Sequence, residues 1–90
     1  MNRLEIVHLR CSGEPLDNLN ELIRDSIWSE GDGAEVVTVY RRQGLDTDVA
    51  VHIRLDDAGD QHGPNALAFH LASALRLFGV VEHTVWEEMP

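Results

Sequence analysis

The sequence predicts an α+β domain in which a four-stranded antiparallel sheet carries two helices on one face. Three observations support this: the segments follow the order β-α-β-β-α-β, the third strand alternates apolar and polar residues, and each helical segment has an apolar side. The 90 residues make one domain, residues 1–90. A chain of this size buries a modest core, which oligomerisation often supports.

The first strand and the first helix are predicted between residues 4 and 28. The run LEIVHLR, residues 4–10, consists largely of strand formers, and CSGEP then interrupts it. Pro15 suits the first turn of a helix. Behind it, apolar residues recur at helical spacing: Leu16, Leu19, Leu22, Ile23 and Ile27. We therefore expect an amphipathic helix that ends before SEGDG, residues 29–33.

Two strands joined by a turn are predicted next. They are EVVTVYRR, residues 35–42, and DVAVHIRL, residues 48–55, with QGLDT as the turn. In the second of these strands, Val49, Val51, Ile53 and Leu55 point one way, whereas Asp48, Ala50, His52 and Arg54 point the other way. Such alternation predicts one buried face and one wetter face.

The second helix is predicted over residues 66–78, before a last strand at residues 80–86, VVEHTVW. Wound at about 100° per residue, the helix turns Leu67, Leu71, Ala74, Leu75 and Phe78 towards the sheet. Its outward side then carries Phe69, Ala72, Ser73 and Arg76, with Ala68 on a flank and His70 and Leu77 at the edge of the core. The complete order is the ferredoxin-like arrangement, with the first and third strands at the centre of the sheet.

Composition narrows the classes of partner. The chain has 16 acidic and 7 basic residues, all the basic ones arginine, and a net charge of −9. A surface of this sign argues against nucleic acids and anionic membranes as partners. The high acid content and the absence of lysine fit either a protein from a salt-rich habitat or a genome that favours arginine codons.

No apolar run approaches the roughly 18 residues of a membrane span, and Cys11 is alone, which excludes an internal disulfide. We expect a cytoplasmic protein.

The uncovered face of the sheet is the first candidate for a functional surface. Tyr40, His52, Arg54 and Trp86 are expected on it, and Phe69 is expected to face outwards from the second helix. A single-layer sheet with aromatic residues on one face usually packs that face against something else. We expect a homodimer, because most soluble oligomers are symmetric dimers, with a small molecule or a protein as a further partner.

The histidines offer a weaker hypothesis of a metal site. His8, His52 and His83 fall on adjacent strands and could bind a metal if they shared a face. His52 belongs to the wetter face, whereas His83 shares the parity of two valines and is expected to point inwards. The face of His8 stays open, because both faces of the first strand carry apolar residues. We therefore expect structural histidines and predict neither a metal nor a cofactor.

Two further groups of charged residues have competing interpretations. The loop DDAGDQHG, residues 56–63, is rich in carboxylates but lacks the pattern of a calcium-binding loop, so a solvated connection is expected. Arg42 and Arg54 share the parity of the open face and could receive a carboxylate or a phosphate of a small ligand. Pairing within the chain, with Asp46 or Asp48, is at least as good an explanation.

Two segments resemble known families. LASALRLFGVVEHTVW, residues 71–86, resembles the ACT-like regulatory domains, which pair through strands and helices and bind amino acids at the interface. VHIRLDDAGDQH, residues 51–62, resembles the dimeric α+β-barrel group, which includes antibiotic-biosynthesis monooxygenase-like and stress-responsive proteins. The second resemblance implies a cofactor-free oxidoreductase or isomerase, with His62, His52 or His70 as the acid or base. No nucleophile elbow or phosphate-binding loop supports an enzyme independently.

Overall fold

A computed structural model describes residues 2–11, 16–31, 35–44, 47–56 and 65–89 of the chain. In chain order the elements are β1 (Asn2–Cys11), α1 (Leu16–Glu30), β2 (Glu35–Arg41), β3 (Asp48–Asp56), α2 (Ala66–Leu75) and β4 (Gly79–Glu87). The strands form one antiparallel sheet in the order β2-β3-β1-β4. The predicted ferredoxin-like fold is confirmed, with β1 and β3 at the centre.

The core lies between the sheet and the two helices. Odd-numbered residues of the central strands form its floor, and Val7, Val51 and Ile53 have no exposed surface. Leucines of both helices cover them, including Leu19 of α1 and Leu71 of α2. Because side chains alternate along a strand, the even-numbered residues lie on the opposite side, which we call the open face.

The second helix differs from the prediction in length and in one of its faces. It ends at Leu75, and residues 76–78 form a turn, so Leu77 is 88% exposed instead of lying at the edge of the core. Ala72, expected to face outwards, is buried, and so is Ala68. Because α1 packs beside α2, we infer that α1 covers these small side chains. Among the described residues, neither helix is long and apolar enough to cross a membrane.

Gly79 allows β4 to lie close to β1. It is the register partner of Cys11, and a Cβ atom at this position would meet the backbone carbonyl oxygen of Arg10. A side chain here would therefore push the two strands apart. The Cys11 thiol is itself buried, as expected for a structural cysteine.

Candidate functional site

The open face is a grid of even-numbered residues from four strands. In the order β2, β3, β1, β4, one row across the sheet is Val36, Arg54, Leu4 and Trp86, the next is Thr38, His52, Ile6 and Thr84, and the third is Tyr40, Ala50, His8 and Glu82. Asp48, Arg10 and Val80 form a fourth row at the far end. Polar and aromatic groups far apart in the sequence therefore share one surface.

The four residues predicted for the open face all lie on it. Tyr40, Arg54 and Trp86 are exposed, whereas His52 is half-buried because the Tyr40 ring leans against it. The two ring centroids are 4.6 Å apart, with 59° between the ring planes. The indole nitrogen of Trp86 donates a hydrogen bond to the Thr84 hydroxyl at 2.8 Å, which orients the indole ring.

A cleft of about 400 Å³ lies at one end of this face. Its lining consists of Arg3, Leu4, Arg54, Trp86, Glu87 and Glu88. The volume is within the range of small-molecule sites. Two arginines and two glutamates line the same space, so the cleft has no excess of either charge.

Phe69 and His70 belong to a different surface. They line an open groove of about 560 Å³ on the helix layer, together with Glu30, Ala66 and Ser73. Phe69 is 62% exposed, which agrees with its expected outward position. His62 lies outside the described residues, as does most of the acidic loop around it.

The three histidines of the sheet do not share a face. His8 and His52 lie on the open face, and His83 points towards the helix layer, as its parity predicts. Within the described ranges, no group of three or more metal-ligating side chains is close enough to hold an ion.

Asp48 is a buried carboxylate on the otherwise solvated open face. His8 Nε2 lies 3.3 Å and Arg42 Nη1 lies 3.4 Å from its Oδ2 atom, while Thr47 Oγ1 donates to Oδ1 at 3.3 Å. Arg10 Nε is 4.0 Å from Oδ1. The predicted pairing of Arg42 with Asp48 is therefore present, and Asp46 lies outside the described residues.

These partners decide the ionisation of Asp48. Burial by itself would raise the pKa of this carboxyl, but the hydrogen bonds from His8 and Arg42, the charge of Arg10 and the hydrogen bond from Thr47 together lower the pKa below its ordinary value. Asp48 therefore remains an anion at neutral pH and holds the cationic side chains around it.

The substitution Asp48→Asn is expected to make folding less sensitive to acid. Because the pKa of Asp48 is lower in the fold than the unfolded value of about 3.9, the carboxylate contributes stability above that value and loses it as the pH falls through the folded pKa. Urea midpoints measured from about pH 5 to pH 2 should therefore fall more steeply for the wild type than for Asp48→Asn. The exposed residue Asp25 supplies a control, Asp25→Asn, which should follow the wild type. Equal slopes in all three proteins would contradict this role for Asp48.

Glu5 is a second buried carboxylate, on the helix side of the sheet. It is fully buried, and its Oε1 atom lies 2.9 Å from Nε2 of His83. Its Oε2 atom accepts a hydrogen bond from the Asn65 backbone N–H at 2.8 Å and lies 3.4 Å from Arg3 Nη2. The Arg3 and His83 side chains are only 10% and 14% exposed. A charge buried this deeply is tolerated because each of its oxygens has partners.

Asn65 connects Glu5 to the start of α2. Its Oδ1 atom accepts hydrogen bonds from the backbone N–H groups of Leu67 and Ala68, which caps the helix. Its Nδ2 atom donates to Glu35 Oε2 at 3.3 Å. One polar network thus joins β1, β2, α2 and β4 beneath the helix layer.

Neither the Glu5 network nor the burial of Asp48 is among the features predicted from the sequence. A signal for Glu5 was present, because it shares the odd parity of Val7 and Leu9. An asparagine directly before an apolar helical run is likewise a typical N-cap, which points to Asn65. Nothing local in the sequence pairs Glu5 with His83, since 78 positions separate them.

The fold and these polar groups define a ferredoxin-like α+β domain with one open sheet face. No family model matches the chain, and no curated protein matches its sequence. Among solved structures it is similar to a mutant of SnoaB, a cofactor-independent oxygenase from Streptomyces nogalater, with a TM-score of 0.64 and 14% identity over 99% of this chain and 94% of that one. At this identity the likeness establishes the fold, and it confirms the fold-level resemblance to α+β-barrel proteins.

Proposed function

We propose that the chain is a cytoplasmic, homo-oligomeric binding domain whose open face contacts a second copy of the chain and a small ligand or protein partner. The observation that carries this proposal is the distribution of exposed large side chains. Val36, Tyr40, Val80 and Trp86 mark the four corners of the open face, with exposed fractions of 61%, 50%, 73% and 56%. Several large apolar side chains exposed on one face of a domain often mark an interaction surface.

The architecture favours a second copy as the cover of this face. Both helices pack on the other side of the sheet, so nothing among the described residues covers the open face. Leu4 and Ile6 lie between the corners and are only half-buried, so they extend the apolar area across β1. A two-fold symmetric pair would cover both faces at once.

Substitution of Trp86 by aspartate is expected to weaken self-association by at least about 30-fold, because a large aromatic residue near an interface often contributes about 2 kcal/mol or more. Native mass spectrometry and light scattering over a concentration series, in low and high salt, measure the oligomer directly. Trp28 gives a matched control, because it lies on α1 and is 91% exposed. Trp28→Asp should leave the oligomer unchanged. A wild type that stays monomeric throughout, or equal effects of the two substitutions, would sink the proposal.

A second candidate function is cofactor-free oxidoreductase or isomerase chemistry. Two observations favour it: the likeness in fold to a cofactor-independent oxygenase and the buried pair of Glu5 and His83. A carboxylate that holds an imidazole is a common acid–base arrangement. His83 meets Glu5 through Nε2, and this pair makes His83 a stronger candidate than the groove residue His70 or the stacked residue His52.

Oxygen uptake in the presence of easily oxidised phenols and enols separates a cofactor-free oxidoreductase from a binding domain without enzymatic activity. An oxidation by O2 without a cofactor must draw its electrons from the substrate, so the expected contribution of the protein is proton removal. Loss of uptake in His83→Gln and its retention in His70→Gln would support the pair as the base. Absence of uptake across the panel would count against the oxidoreductase, and equal loss in both variants would count against the pair as the base.

A further inference from the structure

The end of the open face around Asp48 holds a concentration of positive charge that the oligomer proposal does not use. We call Arg10, Arg42 and His8 the cationic cluster. All three side chains surround the Asp48 carboxylate, which is only 3% exposed. The cations themselves remain accessible, with exposed fractions of 69% for Arg10, 58% for Arg42 and 38% for His8.

The cationic cluster has more hydrogen-bond donors than the Asp48 carboxylate uses. The Oδ2 atom of Asp48 has His8 and Arg42 as neighbours, and Oδ1 has Thr47 and Arg10, so both carboxylate oxygens are occupied. Each guanidinium has five N–H donors, and Asp48 meets one nitrogen of each. With the described residues, Arg10 and Arg42 make no ion pair other than the one with Asp48, so their remaining donors can receive a second anion.

The balance of charge in the cationic cluster also favours the binding of a second anion. Two guanidiniums against one carboxylate leave one positive charge in the cluster even when His8 is neutral, on a chain whose net charge is −9. The β4 neighbour of Arg10 is the apolar Val80, and the nearest acid on the open face of β4 is Glu82, opposite His8. Glu82 makes no ion pair with the described residues.

We propose that the cationic cluster is a binding site for the carboxylate or phosphate group of a small ligand, with Asp48 as the residue that positions the guanidiniums. Arginine presents forked donors that match the oxygens of both anions. The exposed Tyr40 ring, which leans on His52, lies in the row of His8 and offers a flat surface beside the anion. This inference rests on the proposed binding function of the open face and names its ligand class.

The test is a titration of the ¹⁵N-labelled protein with inorganic phosphate, and separately with acetate, at constant ionic strength and neutral pH. Backbone amide and arginine Nε–H signals report binding. We expect saturable shifts around residues 8–10, 42 and 48 for at least one anion. Arg10→Gln and Arg42→Gln should each raise the Kd about tenfold or more, because a hydrogen bond to a charged group contributes about 1.5–3 kcal/mol.

Matched variants separate this site from a general effect of charge. Arg24 is exposed on α1, and Arg76 is exposed at the end of α2, so Arg24→Gln and Arg76→Gln should bind as the wild type does. Shifts that never saturate, or equal losses in all four variants, would overturn the inference. Saturation by phosphate alone or by acetate alone would support it and identify the preferred group.

The same titration on Trp86→Asp distinguishes this inference from the oligomer proposal. If the wild type is monomeric and still binds an anion through Arg10 and Arg42, the oligomer proposal fails and the anion site stands. If the chain associates through the open face and neither the wild type nor Trp86→Asp binds an anion, only the anion site fails.

Discussion

Replacement of Glu5 by alanine is expected to lower the free energy of unfolding by about 3–5 kcal/mol, the usual cost of breaking a buried ion pair by removing one partner. The truncation leaves Arg3 and His83 in the interior without their shared carboxylate and removes the acceptor of the Asn65 backbone N–H. Since small domains are stable by about 5–15 kcal/mol, this is a large part of the total. Urea denaturation followed by circular dichroism measures it.

Two variants show whether the charge or the shape of Glu5 matters. Glu5→Gln keeps the size of the side chain and one oxygen acceptor, so a loss smaller than that of Glu5→Ala is expected. Glu82 lies on the neighbouring strand β4 and is exposed, so Glu82→Ala should change stability by no more than about 0.5 kcal/mol. If Glu5→Ala costs no more than Glu82→Ala, the network does not stabilise the fold.

The layout of the sheet could be predicted from sequence because strand alternation has a strict period of two. Once Val51 and Ile53 are assigned to the core, His52 and Arg54 must lie on the other face. The same parity places His83 towards the helices and Trp86 on the open face, as the structure shows. The element order then restricts the topology, because crossover connections are short and regular.

The partners of the two buried carboxylates could not be predicted, since a binary pattern treats every acid as a surface residue. Glu5 lies inward because His83, Arg3 and the Asn65 backbone are there to receive it, and Asn65 and His83 come from distant parts of the chain. Asp48 lies on the solvated face but is covered by long side chains from neighbouring strands. Such burial arises from tertiary partners, which local periodicity does not encode.

The helical wheel misplaced Ala72 for a related reason. It assigns sides relative to one neighbour, the sheet, whereas α2 also packs beside α1. The Ala-rich segment 66–78, whose one charged residue is Arg76, is therefore apolar on two sides because it lies between the sheet and α1. Within α2, the large apolar side chain that the fold leaves exposed is Phe69.

Leu71 and Phe69, two positions apart on α2, should respond very differently to truncation. Leu71 is fully buried over the sheet, so Leu71→Ala removes methyl groups and leaves a cavity. The expected loss is about 2–5 kcal/mol, independent of protein concentration. Thermal and urea unfolding at two or more protein concentrations measure this loss of stability and show whether it depends on concentration.

Phe69→Ala is the matched variant, because the deleted side chain is also large and apolar but 62% exposed. In dilute protein we expect a change within about 0.5 kcal/mol. If Phe69 contacts another subunit, as its outward position in a groove predicts, the substitution should lower Tm increasingly as concentration rises, since assembly stabilises the folded state by mass action. A Tm difference that does not change with concentration would remove Phe69 from the interface and leave the open face as the contact surface. A cost for Leu71→Ala as small as that of Phe69→Ala would mean that α2 does not close the core.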